Sequence, residues 1–327
     1  MKISIAMTTY NGAKFISQQL ESFYRQTRLP DELIIQDDGS QDNTLALVEE
    51  FAETAPFYVN FQKNEKNVGV SENFSIAIQR CSGDLILLSD QDDVWLPNKI
   101  AKIEEYFRVT PDVSVIANDA LIVDSNLSPE KPSLMKRVKA GRSDGSDFVH
   151  GCCTAIRKNF AQLLFPQQRL KESLIGYDEY IHLTGRLTKS RMIAEDILQY
   201  YRRHESNLSQ SDVYHKNNFY ARARYYLNQA KKIRSTPLDK DWISFQARLL
   251  SELLEKDKSV LALEKKCHLF AQESLNNLLR RIAIRKSPAI RRFFPVAQHL
   301  FSGKYSHANG MKSAASDLIV KYEDSPD

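Results

Sequence analysis

The sequence predicts an α/β fold: a mostly parallel sheet flanked by helices, followed by a mainly helical C-terminal region. Three observations carry this expectation. Short apolar runs alternate with amphipathic stretches up to about Val123, polar clusters directly follow several of those runs, and the chain beyond Asn207 becomes helix-forming and rich in Arg, Lys and Tyr. With 327 residues, 42% of them hydrophobic, the chain is long enough for one large α/β domain with an appendage, or for two domains.

The candidate strands are Ile3–Met7, Leu33–Ile35, Tyr58–Phe61, Leu85–Ser89 and Val113–Ala117. Phe15, Ile16, Leu20 and Phe23 recur at helical spacing after the first strand, as do Val48 and Phe51 after the second. A further helix opens near Pro97 and carries Ile100, Ile103 and Phe107 on one face. From Asp124 to Asp147, Ser, Pro, Lys and Gly predict a surface loop long enough to act as a lid or acceptor loop. Gly151 to Ile156 reads as a strand and Tyr177 to Leu183 as a helix. The expected organisation is a catalytic domain over 1–210, with halves 1–123 and 124–210, and a helical basic region over 211–327.

Charge is unevenly spread. Met1 to Glu130 holds 10 basic against 21 acidic side chains, whereas the rest holds 35 basic against 20 acidic, so the two parts should meet different partners. Cys81, Cys152, Cys153 and Cys267 lack the number and spacing of a disulfide framework or zinc site, which fits a reducing, cytoplasmic setting. No segment approaches the roughly 18 consecutive apolar residues of a membrane span.

In an open parallel sheet, ligands bind where loops leave the carboxyl ends of the strands. Thr8-Thr9-Tyr10-Asn11-Gly12 follows the first strand, Asp37-Asp38-Gly39-Ser40 the second and Asp90-Gln91-Asp92-Asp93 the fourth. Small hydroxylated residues let backbone approach a ligand, Tyr10 offers a ring that stacks on a base, and a carboxylate after the second strand can accept a pyrimidine imide N–H. Three carboxylates within four residues repel one another unless a cation holds them. Mg2+ or Mn2+, hard ions that share their coordination between carboxylates and substrate phosphates, answer that need and imply a diphosphate co-ligand. The competing reading is a solvated acidic turn capping the helix near Pro97.

Four segments in this order resemble the family-2 glycosyltransferases of the GT-A fold, in particular bacterial members that add rhamnose during surface-polysaccharide assembly. They are Met7-Thr8-Thr9-Tyr10-Asn11, Asp37-Asp38-Gly39-Ser40-Gln41-Asp42, Leu88-Ser89-Asp90-Gln91-Asp92-Asp93-Val94-Trp95 and Tyr201-Arg202-Arg203-His204-Glu205-Ser206-Asn207. The resemblance covers about the first two hundred residues. It implies that Thr8, Thr9, Tyr10, Asp37, Asp38, Asp90, Gln91 and Arg202 serve the nucleotide sugar, with Tyr10 stacked on the base, Asp38 reading its N–H, Asp37 supporting that turn, Asp90 near the ribose and Arg202 supporting the loop that carries His204. It further implies that Asp92 and His204 belong to the metal and diphosphate site, with Asp93 supporting them. The family's general base, a carboxylate at a helix start, is matched by Asp178 in Gly176-Tyr177-Asp178-Glu179, with Glu179 as the alternative. Tyr177 stands where the family often has a polar residue.

The implied reaction is an inverting transfer from dTDP-rhamnose, or from another dTDP- or UDP-sugar, to a carbohydrate or lipid-linked acceptor. A catalytically inactive nucleotide-sugar-binding subunit is the non-enzymatic alternative. A nucleotidyltransferase is disfavoured because no Gly-rich basic loop follows the first strand. A haloacid-dehalogenase-like phosphohydrolase is disfavoured because its acidic pair belongs where Thr8 and Thr9 stand. Ser274 to Ser316 lacks acidic residues, and its Arg, Lys and apolar residues suggest peripheral docking on an anionic membrane over Asn276 to Lys304. The alternative is packing against the catalytic domain or a second subunit, as in a homodimer, with the arginines solvated. No nucleic-acid motif is present.

Overall fold

Complete burial of three apolar strands sets the architecture. β1 (Ile3–Thr9), β2 (Glu32–Asp37) and β4 (Leu85–Ser89) have no exposed residue, as expected of central strands covered on both faces. The computed structural model describes residues 1–130, 132–136, 150–165, 176–205, 207, 242–260, 265–287, 292–302 and 317. The chain divides into two units, Met1–Gln210 and Ser211–Asp327.

In the first unit, β1 leads into α1 (Ile16–Tyr24), which buries Ile16, Leu20 and Phe23. α2 (Thr44–Thr54) links β2 to β3 (Tyr58–Lys63), whose polar, partly exposed residues suit the sheet edge it occupies. α3 (Val70–Arg80) precedes β4, and the short β5 (Val94–Trp95) precedes α4 (Lys99–Val109). Then come β6 (Val115–Val123), β7 (Pro129–Glu130), a 3-10 turn (Gly151–Cys153), β8 (Thr154–Arg157), α5 (Lys158–Leu164), α6 (Tyr177–Leu187) and β9 (Arg191–Arg202). The strand order is β3-β2-β1-β4-β8-β6-β9-β5, with β7 beside β6.

The sheet is mixed. β1, β2, β3 and β4 are parallel, but β8 runs antiparallel to both β4 and β6, and β5 antiparallel to β9. Several element boundaries differ from expectation. The sequence places a strand at Val113–Ala117, whereas β6 runs on to Val123 because its polar residues are satisfied inside the fold. Asp119, 4% exposed, accepts the Met135 N–H at 2.8 Å and the Ser133 hydroxyl at 2.6 Å. Gly151–Cys153 is a turn, and only Thr154–Arg157 is strand. The expected Asp124–Asp147 loop contains β7, and residues 131 and 137–147 of it lie outside the described residues. α3 and β9 were not expected. Asn73 and Ser75 are buried in α3, and Glu195 and Asp196 interrupt the alternation in β9, so the hydrophobic period is hidden in both.

The second unit contains α7 (Trp242–Val260), α8 (Lys265–Lys286) and α9 (Phe293–Phe301), with Leu250, Leu253, Ala271, Leu275, Leu278 and Val296 buried. The expectation for its arginines needs correction. Arg281, Arg285 and Arg292 face neither solvent nor a lipid surface, for all three are buried. Asp317, immediately beyond the acid-free stretch, accepts the Nε of Arg281 and of Arg285 at 2.7 Å each. Arg292 donates to the backbone carbonyls of Ser287 at 2.7 Å and Arg285 at 2.8 Å, where the C-terminal end of α8 favours a cation. Among the described residues no helix is long and apolar enough to cross a membrane.

Replacing Asp119 by Ala leaves the Met135 N–H and Ser133 hydroxyl without their buried acceptor. The expected loss is about 1–3 kcal/mol of stability, read as a lower urea midpoint at unchanged slope.

Candidate active site

Strand register brings the polar clusters together. Thr9 pairs with Asp37 across β1 and β2, and Met7 with Ser89 across β1 and β4, so the loops leaving all three strands share one edge. Thr9 (2% exposed) donates its hydroxyl to Asp37 Oδ2 at 2.7 Å. Asp37 is fully buried and also accepts the Ser40 hydroxyl and the N–H groups of Gly39 and Ser40. Gly39 takes φ +89, a left-handed conformation that glycine adopts without strain. Asp37 therefore shapes the turn from within. Asp38 accepts Asn64 Nδ2 at 2.8 Å and the N–H groups of Val68 at 2.7 Å and Gly69 at 2.9 Å, which anchors the segment leading into α3. Thr8 is buried, whereas the Tyr10 ring is 48% exposed.

Gln91 clamps the backbone of Tyr10: its Oε1 accepts the Tyr10 N–H at 2.9 Å and its Nε2 donates to the Tyr10 carbonyl at 3.0 Å. The side chain passes so close to Gly12 that a Cβ there would lie 2.1 Å from Oε1. The first and fourth strand-end loops are thus locked together.

The acidic turn is held from below and from one side. Asp93, fully buried, accepts Gln199 Nε2 at 2.9 Å and the Arg202 N–H at 3.2 Å. Asp92 stays at the rim, its Oδ2 2.8 Å from His204 Nε2 and 3.3 Å from Asn207 Nδ2. The His204 ring rests on Phe15 at 4.6 Å. Burial, Asp92, Asp93 and Asp178 raise Asp90 well above the usual carboxylate range, and burial with Asp92 raises Asp93 to about 7. Asp90, Asp93 and Cys152 bring one potential ligand atom each within 4.8 Å of one another. The Cys152 thiol is itself pushed far up by Cys153 and burial, so it stays protonated and donates to the carboxylates. This crowding of carboxylates, with the Asp92 side chain 16% exposed, fits a hard divalent cation.

Arg202, expected among the cofactor-binding residues, is 1% exposed and its guanidinium is occupied within the protein. It donates to the carbonyls of Asp92 and Ser125 at 2.7 Å each and to Gln18, and lies 4.6 Å over the Phe15 ring. It braces the acidic turn. Asp178 is the second residue of α6. Its carboxyl is raised by burial, against the N–H donors of Glu179 and Gly151, and it lies close enough to push Asp90 upward. Glu179 is likewise raised by burial and by Asp178. Tyr177 stacks on Phe74 at 4.1 Å, and its hydroxyl occupies the space a Gly151 side chain would need. The sequence pattern assigns no place in the site to Gln18, Phe15, Lys99, Gln199 and Asn207. Only Asn207, inside a quoted motif, carried a signal.

Residues 4–165 match the family model described as Glycosyl transferase family 2. This part of the chain is a family-2 glycosyltransferase domain. An uncharacterised glycosyltransferase of Nostoc sp. (strain PCC 7120) is 30% identical over 218 residues, which span 63% of this chain and 66% of that protein. A protein of Shigella flexneri named dTDP-rhamnosyl transferase RfbG is 26% identical over 260 residues, 73% of this chain and 87% of that one. Among solved structures, S. aureus TarS 1-349 in complex with UDP superposes with a TM-score of 0.53 at 16% identity, covering 98% of this chain and 81% of that one. The glycosyltransferase domain thus has the expected GT-A fold, with flanking helices and a sheet that is mixed where the sequence predicts a mostly parallel one.

Carboxylates raised in the folded state are stabilised in their protonated form, so the metal-free protein holds this contribution at low pH and loses it as pH rises through about 7, the value for Asp93. In chelator, the melting temperature should fall between about pH 5 and 8, and Mn2+ should restore more of it at pH 8 than at pH 5. Thermal scans across pH with and without Mn2+ check this.

Proposed function

We propose that the chain is an inverting, metal-dependent glycosyltransferase that moves a sugar from a nucleoside-diphosphate donor to a carbohydrate or lipid-linked acceptor in surface-polysaccharide synthesis. The observation that carries this reading is the convergence, on one sheet edge, of the exposed Tyr10 ring, the Asp90–Asp93 turn and the half-buried Asp178 carboxyl. Nucleotide, diphosphate and acceptor chemistry each find a group there.

Tyr10, its backbone fixed by Gln91, is the stacking surface for the base. Thr8 and Thr9 supply the close backbone approach. Asp38 reads the base N–H through the lone-pair position that Asn64, Val68 and Gly69 leave open. Asp90 contacts the ribose. Asp92 and His204 hold Mg2+ or Mn2+, whose chemistry, when bound, is to neutralise the diphosphate and the charge of the departing nucleotide. Asp178 takes the proton from the acceptor hydroxyl as that oxygen attacks the anomeric carbon. Its raised acidity range makes it a stronger base than an exposed carboxylate. Attack opposite the leaving group inverts the anomeric configuration.

The relative named a dTDP-rhamnosyl transferase supports dTDP-rhamnose as the donor to test first. A UDP-hexose is the second reading. Contact with an anionic membrane rests on the exposed Arg280, Lys286 and Leu279 of α8, since Arg281, Arg285 and Arg292 are turned inward.

The test is a panel of dTDP- and UDP-sugars with lipid-linked acceptors, with and without Mn2+. Transfer from one donor only in the presence of metal is expected, and no metal-dependent transfer from any donor would sink the reading. Asp178→Asn should keep nucleotide affinity within about 3-fold but slow turnover roughly 100-fold or more. Collapse of nucleotide affinity would move Asp178 to the donor site. Tyr10→Ala should weaken binding of free dTDP or UDP by roughly 10-fold through lost stacking, measured calorimetrically.

A further inference from the structure

Beneath the acidic turn lies a buried cation that the proposed chemistry does not use. Lys99, the first residue of α4, is 1% exposed. Its Nζ donates to the Cys152 carbonyl at 3.2 Å and to Gln199 Oε1, and sits 4.0 Å from the centre of the Trp95 ring. The ionisable groups facing it are Asp93, Asp90 and the thiols of Cys152 and Cys153. Burying an ammonium is costly, and a methionine would fill the same space without that cost, so the charge and its donors must be needed here.

The need is visible in Gln199. A carboxamide can point either way, and its orientation follows from its partners. Lys99 can only donate, so it claims the amide oxygen, and the amide nitrogen is then directed at Asp93 Oδ2, 2.9 Å away. The same ammonium holds the carbonyl of Cys152 in the turn whose first residue, Gly151, donates its N–H to Asp178. One cation thereby connects Asp93, through Gln199 on β9, with the segment that supports Asp178.

We propose that Lys99 is a positioning residue: through Gln199 and the Gly151–Cys153 turn, it holds the Asp90–Asp93 turn in the shape that accepts a divalent cation and the donor diphosphate. The proposal rests on the metal-dependent reading given above. Without the Lys99 donor the Gln199 amide loses its preferred direction, and its oxygen can turn toward Asp93 and repel it. Groups that orient metal-binding side chains typically change metal affinity by roughly 10–100-fold.

The test compares the full chain with Lys99→Met in a Mn2+ titration followed by electron paramagnetic resonance, alongside calorimetric titration of UDP and dTDP with Mn2+ present. Lys99→Met should weaken Mn2+ binding at least about 10-fold and nucleotide binding with it. Direct Coulomb repulsion acts in the opposite sense, because removing a positive charge near a cation site tightens it. Unchanged or tighter Mn2+ binding by Lys99→Met therefore overturns the proposal and leaves the metal-dependent reading standing. If Lys99→Met does not fold, Gln199→Met, which cuts the relay while keeping the Lys99 charge, carries the same expectation and the same refutation. A wild-type chain that binds no Mn2+ would remove both readings.

Discussion

Negative charge concentrated at the end of β4 is the constraint on which the rest of this site depends. Asp90, Asp92 and Asp93 occupy three of four consecutive positions, and Asp178 approaches them from α6. Like charges at this density, partly withdrawn from water, shift their acidity upward, and the effect is plain for Asp90 and Asp93. The surroundings distribute the load unevenly. Asp93 is buried and bonded to Gln199 and the Arg202 N–H, whereas Asp92 is left at the rim beside His204 and Asn207. A cation arriving at the rim would complete the neutralisation that Lys99 and Arg202 begin from inside.

The fold supplies that geometry through ordinary sheet rules. Parallel strands with aligned carboxyl ends place the loops after β1, β2 and β4 side by side, and short side-chain bonds then lock them: Thr9 to Asp37, Gln91 to Tyr10, Gly12 N–H to Thr44. β9 adds the other wall. It runs beside β6 and ends at Arg202, which reaches back to the Asp92 carbonyl and to Gln18 of α1. Within the second unit, Arg281 and Arg285 share the buried Asp317.

The parts legible in the sequence were those in which adjacent residues share one task. Apolar runs such as Leu85–Ser89 announced buried strands, and Asp37-Asp38-Gly39-Ser40 announced a turn with carboxylates. The bonds that hold these residues were not legible: Asp37 accepts the N–H of Ser40 in its own turn, and Arg202, far along the chain, reaches the carbonyls of Asp92 and Ser125. Lys99 and Gln199 are 100 residues apart, and no local pattern joins them. β9 is hidden in the sequence for a related reason: its exposed Glu195 and Asp196 break the period-two pattern, while β6 supplies the pairing that keeps it extended.

The central claim is that the Asp90–Asp93 turn is a divalent-cation site serving a nucleotide diphosphate. The most direct measurement is a crystal structure grown with Mn2+ and dTDP or UDP, with the metal located by its anomalous scattering. The account predicts an anomalous peak coordinated by Asp92 and by diphosphate oxygens, with the base against Tyr10. Nucleotide bound at this edge with no metal peak at Asp92, or Mn2+ and nucleotide bound elsewhere on the chain, would contradict it.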